Sequence, residues 1–377
     1  MREMNTDWET IFTIRDYVGP FHVKSDCDYE SAFVSKISKF VRELENVKLE
    51  SGKYTEIKQF ADELMHTVHL YYEGSSDDAQ SFIRDCLEDF KKGTTFFSNV
   101  NENAAFHGFP TNAEVQFFRA RVGNDFCNYS RREMFHVPFT MRGKIETTRF
   151  SISGLPCLYL SNTSYGCWLE LGKPQDSQIA VSPVIVTNEV SVLNLAISIY
   201  DIYEFSDLKR FGSESEREEY FTEYAKLMVL MIASSFVVDE EGRKFKSEYI
   251  VSQMIMLAIK DSEYDGVAYY SKKTAGDMYS RAAINLALYA RYNPNTDDCF
   301  SGDLARKVKI GDSYNLATFQ HLKRYAYASN SYRMAIDDMG GRVGIGERGR
   351  FIPYRDTIFH DFDVYMFSNW KNREYPI

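Results

Sequence analysis

An α+β fold, with an all-α N-terminal domain ahead of a mixed domain, is predicted by three features of the chain. Residues 30–92 carry apolar side chains at helical spacing, short β-prone runs begin near residue 115, and the helices among those runs come without regular β-α alternation. In the first region Ala32, Phe33, Ile37, Phe40, Val41 and Leu44 recur three and four apart, as one face of a helix requires. The pattern continues over Ile57–Tyr72 and breaks at Gly74-Ser75-Ser76. A further helix over Ala79–Phe90 ends in Lys91-Lys92-Gly93, a cationic last turn followed by a terminating glycine. Strands are expected at Val115–Ala120, Cys157–Leu160, Ile179–Val186 and Val190–Leu195, and helices at 165–171, 216–237 and 247–260. These readings divide the chain into an all-α module (1–105), an α+β domain (106–300) and a C-terminal extension (301–377).

Composition narrows the function classes. The 377 residues are 44% hydrophobic and 26% charged, ordinary for a globular protein with a substantial core. The formal net charge is −10, with no long basic run, which argues against nucleic acid as a partner because phosphate neutralisation supplies most of that affinity. No apolar run of membrane-spanning length appears, and MREMNTDWET is too polar for a signal peptide. Six scattered cysteines without a C-x-x-C pair fit reduced thiols. Together these predict a cytoplasmic protein that does not engage a membrane. Phe and Tyr supply most of a 15% aromatic share, which suits both core filling and an aromatic-lined ligand site.

The chemistry-bearing stretch runs from Arg149 through Gly154-Leu155-Pro156, Tyr159 and on to Glu170. A cation, an aromatic ring and a carboxylate are thus spaced along a strand–loop–helix unit. This stretch resembles the RES domain, a family named for its Arg, Glu and Ser residues. The steps of 10 residues from Arg149 to Tyr159 and 11 from Tyr159 to Glu170 match that family's spacing. Upstream, Phe117-Phe118-Arg119-Ala120-Arg121 resembles its opening strand, with Arg119 at the arginine. Downstream, Asp265-Gly266-Val267-Ala268-Tyr269-Tyr270-Ser271 resembles the strand bearing its serine, and Asn285-Leu286-Ala287-Leu288 its closing strand. Residues 117–290 carry the resemblance, and Glu133–Phe139 points to the longer subclass. Ser252 departs from it, standing where a proline is expected before Gln253.

The resemblance implies an ADP-ribosyltransferase-like fold and NAD as substrate. It further implies a toxin or defence effector, with a cognate antitoxin or inhibitory protein and a homo-oligomer as candidate partners. The helical N-terminal module is similar to segments that precede RES and HEPN domains in bacterial conflict systems. The residues suit that chemistry. Nicotinamide leaves NAD as a neutral amine, so positive charge grows on the ribose and a carboxylate beside it is stabilising. Glu170 is the candidate for that role, Tyr159 for stacking on nicotinamide, and Arg149 and Arg119 for the pyrophosphate. Ser271 is the candidate for orienting Glu170 or a ribose hydroxyl, and no metal is called for. Cleavage of NAD by water or phosphate is the leading expectation. ADP-ribosyl transfer to a protein and a non-catalytic NAD- or nucleotide-binding module are the alternatives.

Other features weigh less. His66 and His69 lie three apart without a further ligand pattern, so a metal site is not expected. His136 fits either a pocket lining or a buried structural position. Cys157 and Cys167 read as packing. The Arg15…His22 spacing is interrupted by Gly19-Pro20, and the Gly-rich Gly340–Gly346 run lacks the strand–helix frame of a phosphate loop.

Overall fold

The computed structural model describes residues 17, 19–45, 51–93, 115–187, 189–196, 213–240, 242–274, 281–295, 298–323, 344–347 and 350–370. In chain order the elements that matter are β1 (Phe21–Lys24), α1 (Tyr29–Leu44), α2 (Ser51–Tyr72), α3 (Ser76–Gly93), β2 (Val115–Val122), α4 (Arg131–Met134) and β3 (Cys157–Ser161). They continue with α5 (Ser164–Glu170), β4 (Ile179–Val186), β5 (Val192–Leu195), α6 (Glu214–Ala233), β6 (Phe236–Asp239), α7 (Ile250–Lys260), β7 (Gly266–Tyr270) and β8 (Ile284–Tyr289). The last are α8 (Gly302–Lys307), β9 (Val308–Ile310), β10 (Tyr314–Asn315), α9 (Leu316–Lys323), β11 (Gly344–Glu347), β12 (Arg350–Pro353) and α10 (Ile358–Ser368). Among the described residues no helix is long and apolar enough to cross a membrane. The chain divides into two compact units, one of residues 1–97, 148–150 and 194–263, the other of 98–147, 151–193 and 264–377.

Unit one is built on the helices the sequence announces. Asp28 caps α1, its carboxylate accepting the Ser31 N–H at 2.8 Å, and Phe33, Ile37, Phe40 and Leu44 are fully buried at helical spacing. Where the sequence suggests an all-α module, the structure adds residues 194–263 and a two-stranded parallel pair. In that pair β1 joins β6 with Phe21 opposite Phe236 and Lys24 opposite Asp239. The helix expected over 216–237 accordingly stops at Ala233. Ser234 and Ser235 follow, and β-branched Val237 and Val238 suit the strand. From Phe221 to Ala233 nearly every residue of α6 is buried, so it is the central helix of this unit. Lys226 reaches from α6 to Glu56 on α2 and, at 2.9 Å, to Glu223.

Unit two holds a sheet in the order β10-β4-β2-β3-β8-β7-β5, with β9 also on β4; the first residues of β5 lie within the unit. The pairs β2–β4, β2–β3, β3–β8, β7–β8, β4–β9 and β4–β10 are antiparallel, in keeping with the α+β reading. Two glycines set close approaches. A Cβ at Gly266 would overlap the Ala287 carbonyl across the ladder, and one at Gly166 would overlap Ser161 Oγ and stand 3.2 Å from Ala283 Cα. The second lets α5 lie directly on β3 and on the residue that leads into β8.

The C-terminal residues are part of this unit's core. Phe319, Tyr354, Phe359, Phe362, Met366 and Phe367 pack with Phe118, Tyr165, Cys167 and Leu169. Buried Asp363 on α10 accepts the Ser164 N–H at 3.2 Å and the Tyr354 hydroxyl at 2.6 Å, fixing the start of α5. Of the Gly-rich run, Gly344–Gly346 form part of β11, paired with β12; residues 340–343 lie outside the described residues, as does Arg15.

Candidate functional site

The corner between β3 and α5 decides where Glu170 stands. Asn162 donates its Nδ2 to the Arg281 carbonyl at 2.8 Å and accepts the Ile284 N–H at 3.0 Å. Thr163 caps α5 by accepting the Gly166 N–H at 2.9 Å, and its own hydroxyl donates to Ala282. These bonds fasten the start of the helix to the start of β8. One helix length later, exposed Glu170 finds β8 again: Asn285 Nδ2 donates to its Oε1 at 2.7 Å.

Register places the other side chains. Ser161 is opposite Asn285 and Tyr159 opposite Ala287, while Tyr269 of β7 is also opposite Asn285. Directly opposed residues share a face, so Tyr159 and Asn285 are diagonal neighbours on one face of the sheet, and the Glu170 carboxylate rests on that face. Ser271 follows Tyr269 by two residues, but its Oγ accepts the Lys273 N–H at 3.2 Å and shapes the turn after β7. Asn285, not Ser271, holds the carboxylate. Exposed Lys273 in turn donates its Nζ to the Glu170 carbonyl at 2.7 Å, a cation at the C-terminus of α5. Just before β7, buried Asp265 accepts the Ser191 N–H at 2.9 Å and Lys307 Nζ at 2.7 Å.

Arg119 occupies an opening in the sheet. Strand β2 pairs with β4 over eight residues, yet with β3 it is paired at Phe118 opposite Ser161 alone among the described residues. Where that ladder stops, Arg119 Nη1 donates to the Tyr159 carbonyl at 2.9 Å. Its Nε is buried without a hydrogen-bond partner, and among the described residues no carboxylate forms an ion pair with it. Burial first, then the neighbouring Arg121, pulls its pKa down to about 10, so it remains a cation at neutral pH. A buried positive charge with no carboxylate paired to it among the described residues is suited to an anion arriving from outside.

Arg149 belongs to unit one. Its Nη1 donates to the Ser234 carbonyl at 3.2 Å and its guanidinium lies 5.0 Å over the Phe150 ring. Tyr159, Glu170, Ser271 and Arg119 are gathered in unit two, with Asn285 and Lys273 added to them. The signal for Asn285 is present in the sequence, as one polar residue in the otherwise apolar run Ile284–Tyr289. Among the described residues no group of three His, Cys, Asp or Glu side chains could hold a metal ion. His66 and His69 stack on each other, and His69 pairs with Glu30 and Glu73.

His136 is structural. It is 1% exposed amid Phe135, Phe139 and Phe300, its Nδ1 donates to the Val137 carbonyl at 2.8 Å and its Nε2 accepts the Ser301 N–H at 2.9 Å. The bond accepted from Ser301 requires the neutral ring, and burial lowers the His136 pKa from 6.5 to about 4. Between pH 7 and pH 5 the unfolded chain therefore gains a proton that the folded chain refuses. Folding stability from this residue, intact above 6.5, should fall by about 2 kcal/mol by pH 5. Urea titrations at both pH values should show that loss, and His136→Gln should remove most of it. An unchanged slope in the variant would assign the pH dependence elsewhere.

No protein-family profile matches the chain. Its sequence is 30% identical over 308 residues to a Bacillus subtilis (strain 168) protein named "Putative toxin YopC", spanning 78% of this chain and 67% of that protein. Among solved structures, the M. tuberculosis MbcT–MbcA toxin–antitoxin complex contains a chain that is 13% identical, with 56% of this chain and 91% of that one covered. The TM-score of that match is 0.27, too low to carry an argument.

Proposed function

The chain belongs to the family of the Bacillus subtilis protein named "Putative toxin YopC", and we propose that it is a toxin of RES type that breaks the nicotinamide–ribose bond of NAD. The observation that supports this most is the Glu170 carboxylate, held by Asn285 on the sheet face that carries Tyr159. The N–C1′ bond breaks with its electron pair passing to the pyridinium nitrogen, which becomes neutral. Positive charge then appears on C1′ and its ring oxygen, and a carboxylate beside it lowers that barrier. With Oε1 taken by Asn285, Oε2 of Glu170 is the oxygen left for the ribose 2′-hydroxyl. The Tyr159 ring suits stacking on nicotinamide. Lys273, beside Glu170, and Arg119, a cation with no paired carboxylate among the described residues, suit the pyrophosphate.

Water adding to C1′ and losing a proton gives ADP-ribose, phosphate gives the 1-phosphate, and a protein nucleophile gives an ADP-ribosylated target. An enzyme of this kind needs restraint in its own cell, so a cognate inhibitory protein is the partner this reading expects. Incubating the purified full chain with NAD, and identifying products by mass, tests it. Nicotinamide with ADP-ribose, or its phosphate, is the expected result. Radiolabel appearing on lysate protein would assign transfer instead. Intact NAD after prolonged incubation with folded protein would leave a binding module.

A further inference from the structure

Unit one carries a cavity of about 370 Å³, within the size range of ligand sites, at the junction of the turn before α1, the end of α2 and the loop after β6. None of its lining residues is one assigned above to NAD chemistry. Three carboxylates line it, Asp28, Glu30 and Glu240, against a single lining cation, Arg243. That cation is largely committed: its Nη1 donates to Glu248 at 3.0 Å, its Nη2 to Ser247 at 2.8 Å, and its Nε lies 3.7 Å from Glu240. Glu30 is shared with His69 and Glu240 with Arg243, yet three carboxylates against one lining cation leave the cavity wall net negative.

Its aromatic lining is unusual in two respects. Tyr72 and Phe245 are 43% and 52% exposed, and Phe245 is parallel to Tyr71 with ring planes 6° apart. Large rings held at the rim of a cavity suit a flat partner. Tyr29, by contrast, is 5% exposed and its hydroxyl has no hydrogen-bond partner.

The acceptors are dispersed. Cys27, Asp28, Glu30 and Glu240 all line the cavity, yet among the described residues no three such groups converge as a metal site would need. A compact ion would reach few of them. A planar cation with several N–H donors could reach several while stacking on the exposed rings.

We propose that this cavity binds a guanidinium group, presented by an arginine side chain of a peptide or by a small free guanidine. Calorimetric titration of the full chain with N-acetyl-arginine methylamide and with agmatine tests this. N-acetyl-lysine methylamide and inorganic phosphate serve as comparison ligands. Saturable binding is expected for at least one guanidine, at least fivefold tighter than for the lysine amide and absent for phosphate. Binding of the arginine amide identifies the side-chain source, and binding of agmatine alone identifies a free guanidine. Glu30→Gln and Phe245→Ala, both at accessible positions, should each weaken binding at least fivefold with unchanged thermal unfolding. Glu170→Gln should leave binding intact, which separates this site from the NAD reading. No saturable guanidine binding, equal affinity for the lysine amide, preference for phosphate, or indifference to both cavity variants would overturn the proposal.

Discussion

Glu170→Gln is expected to release nicotinamide from NAD at least about a hundredfold more slowly than the parent chain, with its melting temperature unchanged. The substitution keeps the shape and removes the charge. A carboxylate facing developing positive charge acts mainly in the transition state, and removing such a preorganised group costs roughly a hundred- to a thousandfold in rate. Stability should hold because Glu170 is exposed at the end of α5 and a glutamine oxygen can still accept from Asn285. Asn285→Ala is the companion variant. It leaves the charge and frees the side chain that carries it, so a smaller loss is expected, on the order of tenfold, through poorer placement. Turnover near that of the parent in Glu170→Gln would remove this residue from the chemistry.

The parts of the fold legible in the sequence are those whose pattern is periodic and local. The burial of Phe33, Ile37, Phe40, Val41 and Leu44 follows directly from their spacing. Strands β2, β3, β4 and β5 also fall where β-prone runs sit, and β7 and β8 where the resemblance places strands. The parallel pair of β1 with β6 is hidden, because four-residue strands more than two hundred positions apart leave no periodic trace. Helix α10 is equally opaque. Ile358–Ser368 is apolar on several sides, with the buried Asp363 among the aromatics, so no single face announces itself. Its role in fixing α5 is tertiary.

The site shows the same division. Glu170 and Tyr159 stand out through spacing along one strand–loop–helix unit, and register does place the carboxylate on the face of that tyrosine. Arg149 shares the spacing but folds into unit one, because sequence distance says nothing about which core a loop residue joins. Of the two partners expected for Ser271, Glu170 is bonded by Asn285 instead, while a ribose hydroxyl stays open to it. A serine two residues before Lys273 is short enough to bond its own turn, and local bonds of that kind compete well with longer-range ones.

Arg119→Met is expected to separate function from stability. The arginine holds one hydrogen bond to the Tyr159 carbonyl, and losing it should cost about 1 kcal/mol, or up to roughly 3 if the carbonyl is left dry. Against that stands the cost of keeping a cation in a site that pulls its pKa to about 10, on the order of 3 kcal/mol before screening by solvent. Methionine keeps the apolar stem and relieves the charge, as when buried ions are replaced by hydrocarbon of similar volume. The two terms nearly cancel, so urea unfolding of the variant should lie within about 1 kcal/mol of the parent at pH 7. Turnover should not survive so well. If the guanidinium meets the pyrophosphate of NAD, its loss should raise KM and lower kcat/KM by at least about thirtyfold, the range of a buried charged hydrogen bond. Arg119→Lys, which keeps the charge without the fork, should recover part of it. The opposite pattern, a stability loss above 3 kcal/mol with kcat/KM unchanged in the folded fraction, would make Arg119 a brace for the opening between β2 and β3. The pyrophosphate contact would then fall to Lys273, exposed beside Glu170.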